Sequence, residues 1–127
     1  MNLPEITQQN IAQLLNKETI INETIAQIQK DFGMYSINIL FDGNTETAYE
    51  QLMDQLNIEI INLLAIDKNK LQSILYRIDI SEIAIKKALR LRSGTNIEEN
   101  TQQIISHEII VRELKKVLTR NYFKYLG

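Results

Sequence analysis

Apolar residues recur at three- and four-residue steps over most of the chain, the period of helices buried along one face. The densest stretch is Ile58 to Ile66, I-E-I-I-N-L-L-A-I, where seven of nine residues are apolar and fall on every side of a helical wheel. A helix apolar all round is a buried helix. The β-branched residues in this run also suit a buried strand. The flanks decide for helix, because Tyr49, Leu52, Met53, Leu56, Ile60, Leu63 and Leu64 keep the helical step. The pattern predicts a central buried helix that Asn44 or Thr45 caps and that runs to about Ile66, with Glu59 and Asn62 reaching its margin or a buried partner.

Three or four further helices follow from the same period and from cap chemistry. The first runs from about Pro4–Thr7 to about Asp31, with Leu14, Ile21, Ile25, Ile28 and Phe32 on its seam, Glu18 interrupting it and Gly33 ending it. Tyr35 to Phe41 then alternates apolar and polar before Asp42-Gly43-Asn44, which fits a short strand or an extended connector; with no second alternating segment to pair with, connector is preferred. Asp67 caps a new helix if the central one breaks there, with Ile66 and Leu71 as a staple; one long helix to Tyr76 is the alternative. Ile78-Asp-Ile-Ser-Glu-Ile83 reads as a corner, with Asp79 as N-cap, Glu82 closing a capping box, Ile78 and Ile83 as staple, and Ser81 as the competing cap. The next helix spans about Ile80 to Arg92, followed by a Ser93–Asn96 loop. Thr95 or Asn96 then caps a long C-terminal helix to about Tyr125, with Ile104, His107, Val111, Leu114, Leu118 and Tyr125 on its inner face and Ile110 and Val117 beside them.

The expectation is an all-α bundle of four or five helices in a single domain, residues 1–127, with a central buried helix and a long C-terminal helix. At 127 residues the chain can bury a sizeable core without staples, and it has no cysteine, which excludes disulfides, thiolate metal sites and cysteine nucleophiles. No apolar run reaches the roughly 18–20 residues of a membrane span. The sequence around Met1 to Glu5 lacks a basic segment followed by an apolar one, so a cytoplasmic protein without membrane contact is expected.

Net charge is −2, unevenly spread: residues 1–66 carry nine acids and two bases, residues 67–127 seven acids and twelve bases. The simplest account is that the halves neutralise each other within the fold or across a dimer; attraction to an anionic partner is the alternative.

Candidate chemistry is sparse. His107 begins H-E-I-I-V, but Val111 stands where a zinc-protease motif needs its second histidine. Asp31-Phe-Gly33 spells a kinase triplet with no Gly-rich loop or H-R-D before it, and is read as chance. Glu46, Glu50 and Asp54 follow at steps of four, a spacing that suits a solvated face better than a metal site, and no metal or cofactor is expected. The C-terminal helix carries Arg112, Lys115, Lys116, Arg120 and Lys124 interleaved with Tyr122, Phe123 and Tyr125. Bases beside aromatics are what phosphate attraction and base stacking require, and Arg77, Lys86, Lys87, Arg90 and Arg92 extend the patch. The same end also suits docking on an acidic protein surface, including the acidic half of a second copy.

The stretch Leu75-Tyr-Arg-Ile-Asp-Ile-Ser-Glu82, with Arg112-Glu-Leu-Lys-Lys-Val-Leu-Thr-Arg120, resembles small uncharacterised bacterial helical proteins over the C-terminal half. The resemblance implies an α-helical fold and carries no activity or functional residue. The preferred function is a non-catalytic interaction protein that forms homo-oligomers or binds another protein. The alternatives are a nucleic-acid-binding module using Arg112, Lys115, Lys116, Arg120, Lys124, Tyr122 and Tyr125, and an enzyme with a carboxylate-lined site.

Overall fold

The computed structural model describes residues 18–92 and 101–126, with side chains for all of these except 89, 91, 92 and 122–126. Among the described residues the chain forms five α-helices: α1 (Glu18–Gly33), α2 (Ala48–Ile66), α3 (Lys68–Ile78), α4 (Glu82–Arg92) and α5 (Thr101–Leu126). The expected helix start at Pro4–Thr7, Leu14, and the Ser93–Asn96 loop with its Thr95 or Asn96 cap lie outside them. The protein is an all-α bundle whose longest helix is C-terminal. No helix among the described residues is long and apolar enough to cross a membrane.

The most enclosed stretch of helix is residues 104–114 of α5. Helix α5 packs against α1, α2, α3 and α4. Between Ile104 and Leu114 it buries every residue but Glu108 and Arg112, which are half-buried. The run at 58–66 behaves differently from the expectation of a dry centre. Helix α2 buries Ala48, Leu52, Leu56, Ile60 and Leu63 on one face, while Ile58, Ile61 and Ile66 are 60%, 46% and 84% exposed. Glu59 sits half-buried and Asn62 exposed at the margin. A wheel apolar all round shows what a helix can bury; the number of neighbours decides what it does bury. Helix α2 has α3 and α5 against it and nothing over its outer face among the described residues.

The helix ends explain the path of the chain. Helix α1 stops through two bonds, from the Ile37 N–H to Phe32 O (3.1 Å) and from the Ser36 N–H to Gly33 O (3.1 Å). Gly33 is its last residue, but the left-handed position belongs to Ser36, at φ 62°. This is a Schellman stop, with Phe32 and Ile37 buried together as its apolar pair. Helix α3 ends the same way: Ile80 N–H bonds Leu75 O (2.8 Å), Asp79 N–H bonds Tyr76 O (3.0 Å), and Asp79 holds φ 72°. Asp79 is therefore the stop of α3 and not the N-cap of α4. That cap is Ser81, whose Oγ accepts the Ala84 N–H at 3.0 Å. The shift of two residues moves the staple from Ile78 and Ile83 to Ile80 and Ile85. Both are buried, while Ile83 is 79% exposed. The break at Asp67 is real: its carboxylate caps α3 by accepting the Lys70 N–H at 3.0 Å. Leu71 is buried, but Ile66 is not, so that staple is not closed. Asn44 caps the 3-10 turn Thr45–Thr47 that leads into α2.

Residues 37–42 form an extended connector across the core, with Ile37 and Ile39 turned inward and Asn38 and Leu40 outward. The partner that a strand would need is supplied by glutamine side chains of α2. The Gln55 amide accepts the Leu40 N–H (2.7 Å) and donates to Leu40 O (2.6 Å), while Gln51 accepts the Asp42 N–H (3.2 Å). From α1, Gln29 donates to Ile39 O at 3.0 Å. Side-chain amides thus stand in for a neighbouring strand and satisfy backbone groups that would otherwise be left open.

Candidate functional site

Two places stand out: a buried pair of acids between α1 and α5, and the outer face of α2.

Helix α1 presents Asp31 one residue before Phe32, on the same face as Ile28, and Asp31 is only 3% exposed. Helix α5 presents Glu113 between Ile110 and Val117 at steps of three and four, and Glu113 is fully buried. Asp31 is well provided for. Arg77 of α3 sets its Nε 3.1 Å from Oδ1, and Gln27 donates to Oδ2 at 3.2 Å. Glu113 is not: neither of its oxygens has an N–H or hydroxyl partner in hydrogen-bond geometry, and Lys116 Nζ lies 3.4 Å from Oε1.

The Asp31 carboxyl lies within hydrogen-bonding range of Glu113, while Lys116 supplies only its charge and a long 3.4 Å contact. Two carboxylates bond only through a proton, so one must be neutral. Burial, then the bond to Asp31 and its negative charge, push Glu113 up to about 8 against the favourable pull of Lys116. Burial also opposes ionisation of Asp31, but the bonds from Glu113 and Gln27 and the charges of Lys116 and Arg77 outweigh it and hold its carboxyl below the usual range. Near neutral pH the pair therefore carries one proton, held by Glu113 and shared toward an ionised Asp31. Neither residue takes a role from the sequence alone: Asp31 reads as part of a chance triplet, and Glu113 sits within the basic run. The signal was there, since each is an acid on the apolar stripe of its helix.

A groove of about 870 Å³ lies where α3, α4 and the start of α5 meet, over Leu71, Leu75, Ile80, Ile85 and Ile105. Neither Asp31 nor Glu113 lines it. The groove therefore does not reach the acid pair, and among the described residues no group of three or more histidine or acidic side chains could hold a metal ion. His107 is buried, with its Nδ1 2.7 Å from the Tyr49 hydroxyl and the two rings edge to face.

The basic stripe is met in part within the chain: Arg112 and Arg120 lie against acids, whereas the Glu113 beside Lys116 carries a proton near neutral pH. Arg112 pairs with Asp79 (2.6 Å), Lys116 lies against Glu113, and Arg120 reaches Glu23 at 4.0 Å and Gln27 at 3.3 Å. Lys115 is exposed. Tyr122, Lys124 and Tyr125 are in the last turns of α5, and their side chains lie outside the described residues, as does that of Arg92. The Asp31–Arg77 and Glu23–Arg120 pairs join the acidic and basic halves of the sequence.

The outer face of α2 is the other feature. Glu50 and Asp54 are exposed, and at the next steps along the same line come Ile58, Ile61 and Ala65, exposed as well. Glu46, in the 3-10 turn, is also exposed. The acidic row therefore faces solvent, not the basic helix. Lys68 is exposed just past the far end of α2.

No protein-family model, curated protein or solved structure matches this chain significantly.

Proposed function

We propose that this protein is a non-catalytic helical interaction module that self-associates through the outer face of α2. The observation that carries the reading is the pair Ile58 and Ile61, one turn apart and 60% and 46% exposed, continued by exposed Ala65. Clustered exposed apolar side chains mark association surfaces, whereas scattered ones do not.

A second copy is the occupant that the charges favour. When two α2 helices cross antiparallel about a two-fold axis near Ile58 and Ile61, Glu50 and Asp54 of each point toward the Lys68 end of the other. Burying what remains exposed of the isoleucines contributes roughly 1 kcal/mol per side chain, about half the value for full burial. That must offset about 4–15 kcal/mol of lost translational and rotational freedom, so the dimer depends on concentration.

Light scattering across a concentration series tests the reading. A mass rising toward twice the chain mass is expected, with Ile58→Glu/Ile61→Glu held at the single-chain mass and unchanged in helical content. A strict monomer at the highest concentration overturns it.

A further inference from the structure

We propose that Asp31 and Glu113 are a proton-loaded latch between α1 and α5, so that the closure of these two helices responds to pH. The geometry is that of a bond that exists only while a proton is present. Glu113 is fully buried and lacks any N–H or hydroxyl partner. The Asp31 oxygens are already engaged, Oδ1 by Arg77 and Oδ2 by Gln27, so Asp31 is fixed as the acceptor and Glu113 as the proton carrier. When the proton leaves, two negative charges face each other in a dry contact that Lys116 and Arg77 offset only in part, and the bond that joined the helices is lost.

Two cations border the pair, Lys116 beside Glu113 and Arg77 beside Asp31, and neither offsets the burial of Glu113. Lys116, on the same helix as Glu113, lies 3.4 Å from Oε1 outside hydrogen-bond geometry. Arg77 of α3 is committed to Asp31. Asp79, at the corner between α3 and α4, pairs with Arg112, and Glu23 of α1 is met by Arg120 and Asn121. From α2, the titratable contact on α5 is Tyr49 against His107, nearly two turns away.

The direction of the response is fixed. An opened latch gives Glu113 the ordinary value of 4.5, whereas the closed latch holds it at about 8. Between these the closed form binds the proton that the open form releases, so each pH unit of increase favours opening about tenfold. Below 4.5 and above 8 the two forms bind equally and the response levels off.

Amide exchange of α1 and α5, corrected for intrinsic rate and followed from pH 5 to 9, is the experiment, on the full chain. The wild type should show an opening constant that climbs about tenfold per pH unit and flattens above pH 8. Glu113→Gln, which keeps the shape and a donor toward Asp31, should show a flat profile. Carbon-13 labelling of the carboxyls gives a readout independent of opening. Glu113 should titrate near 8, and Asp31→Asn should move that midpoint down. Glu113 titrating near 4.5, a midpoint unmoved by Asp31→Asn, or a slope that persists in Glu113→Gln each overturns the latch.

Discussion

Replacing Glu113 by glutamine should stabilise this protein at neutral and mildly alkaline pH, although the residue is fully buried and polar. The magnitude follows from proton linkage. A value of about 8 in the fold against 4.5 for the ordinary group spans about 3.5 pH units. At 1.36 kcal/mol per unit, that is about 5 kcal/mol between pH 4 and pH 9, and about 3 kcal/mol of it is already spent by pH 7. The sign is that of a raised acid: the contribution of Glu113 to stability is complete below 4.5 and is lost as pH rises through 8. Glutamine is never charged, so its variant should match the wild type near pH 4.5 and exceed it by a few kcal/mol at pH 8. Asp31 works the other way. Its lowered value makes its contribution complete above 3.8 and lost in acid, so both proteins should share the same acid limb. Urea unfolding at pH 4.5, 6, 7 and 8 measures the difference directly. A Glu113→Gln variant less stable than wild type at pH 8, or a gap that does not widen with pH, refutes the reasoning.

Four smaller predictions test the helix ends and the connector. Ser36 holds a left-handed φ of 62° on an exposed residue, so Ser36→Gly should stabilise the fold by about 1 kcal/mol in denaturant unfolding. Ser81→Ala should cost about 1 kcal/mol through loss of the α4 cap. Asp79→Gly should be close to neutral in the same assay, because relief of the left-handed backbone offsets loss of an exposed Arg112 pair. Gln55→Ala should cost about 1–3 kcal/mol and speed exchange of the Leu40 amide, since it removes both bonds that hold Leu40 to α2.

How much of this was legible in the sequence depends on whether a feature is local. The helices follow from short-range pattern and chemistry, and the structure decides the two open choices, a break at Asp67 over one long helix to Tyr76 and Asn44 over Thr45 as the cap. The corner at 78–83 was found, but its register was misplaced by two residues. Asp79 fits the capping-box spacing as well as Ser81 fits a plain cap, and nothing in the sequence announced that an aspartate would take the stop position that glycine usually fills. The roles of α2 and α5 were partly exchanged for a different reason. Residues 58–66 are the more uniformly apolar run, yet α5 is the helix that others surround, and the count of neighbours is a tertiary property. The acid pair spans α1 and α5, so no local motif joins it. What each half did show was an acid on an apolar stripe, Asp31 beside Ile28 and Phe32, Glu113 between Ile110 and Val117. On helices that both pack inward, that is a cue to look for a shared proton or a buried cation.

The absence of cysteine from the chain makes one measurement especially direct. Ile61→Cys places a single thiol at the centre of the proposed contact, where two copies related by a two-fold axis bring it against itself. Mild oxidation should convert this variant to a disulfide-linked dimer at concentrations where Tyr76→Cys, exposed on α3, stays monomeric. Equal cross-linking of the two variants, or none at Ile61→Cys, contradicts self-association through the outer face of α2.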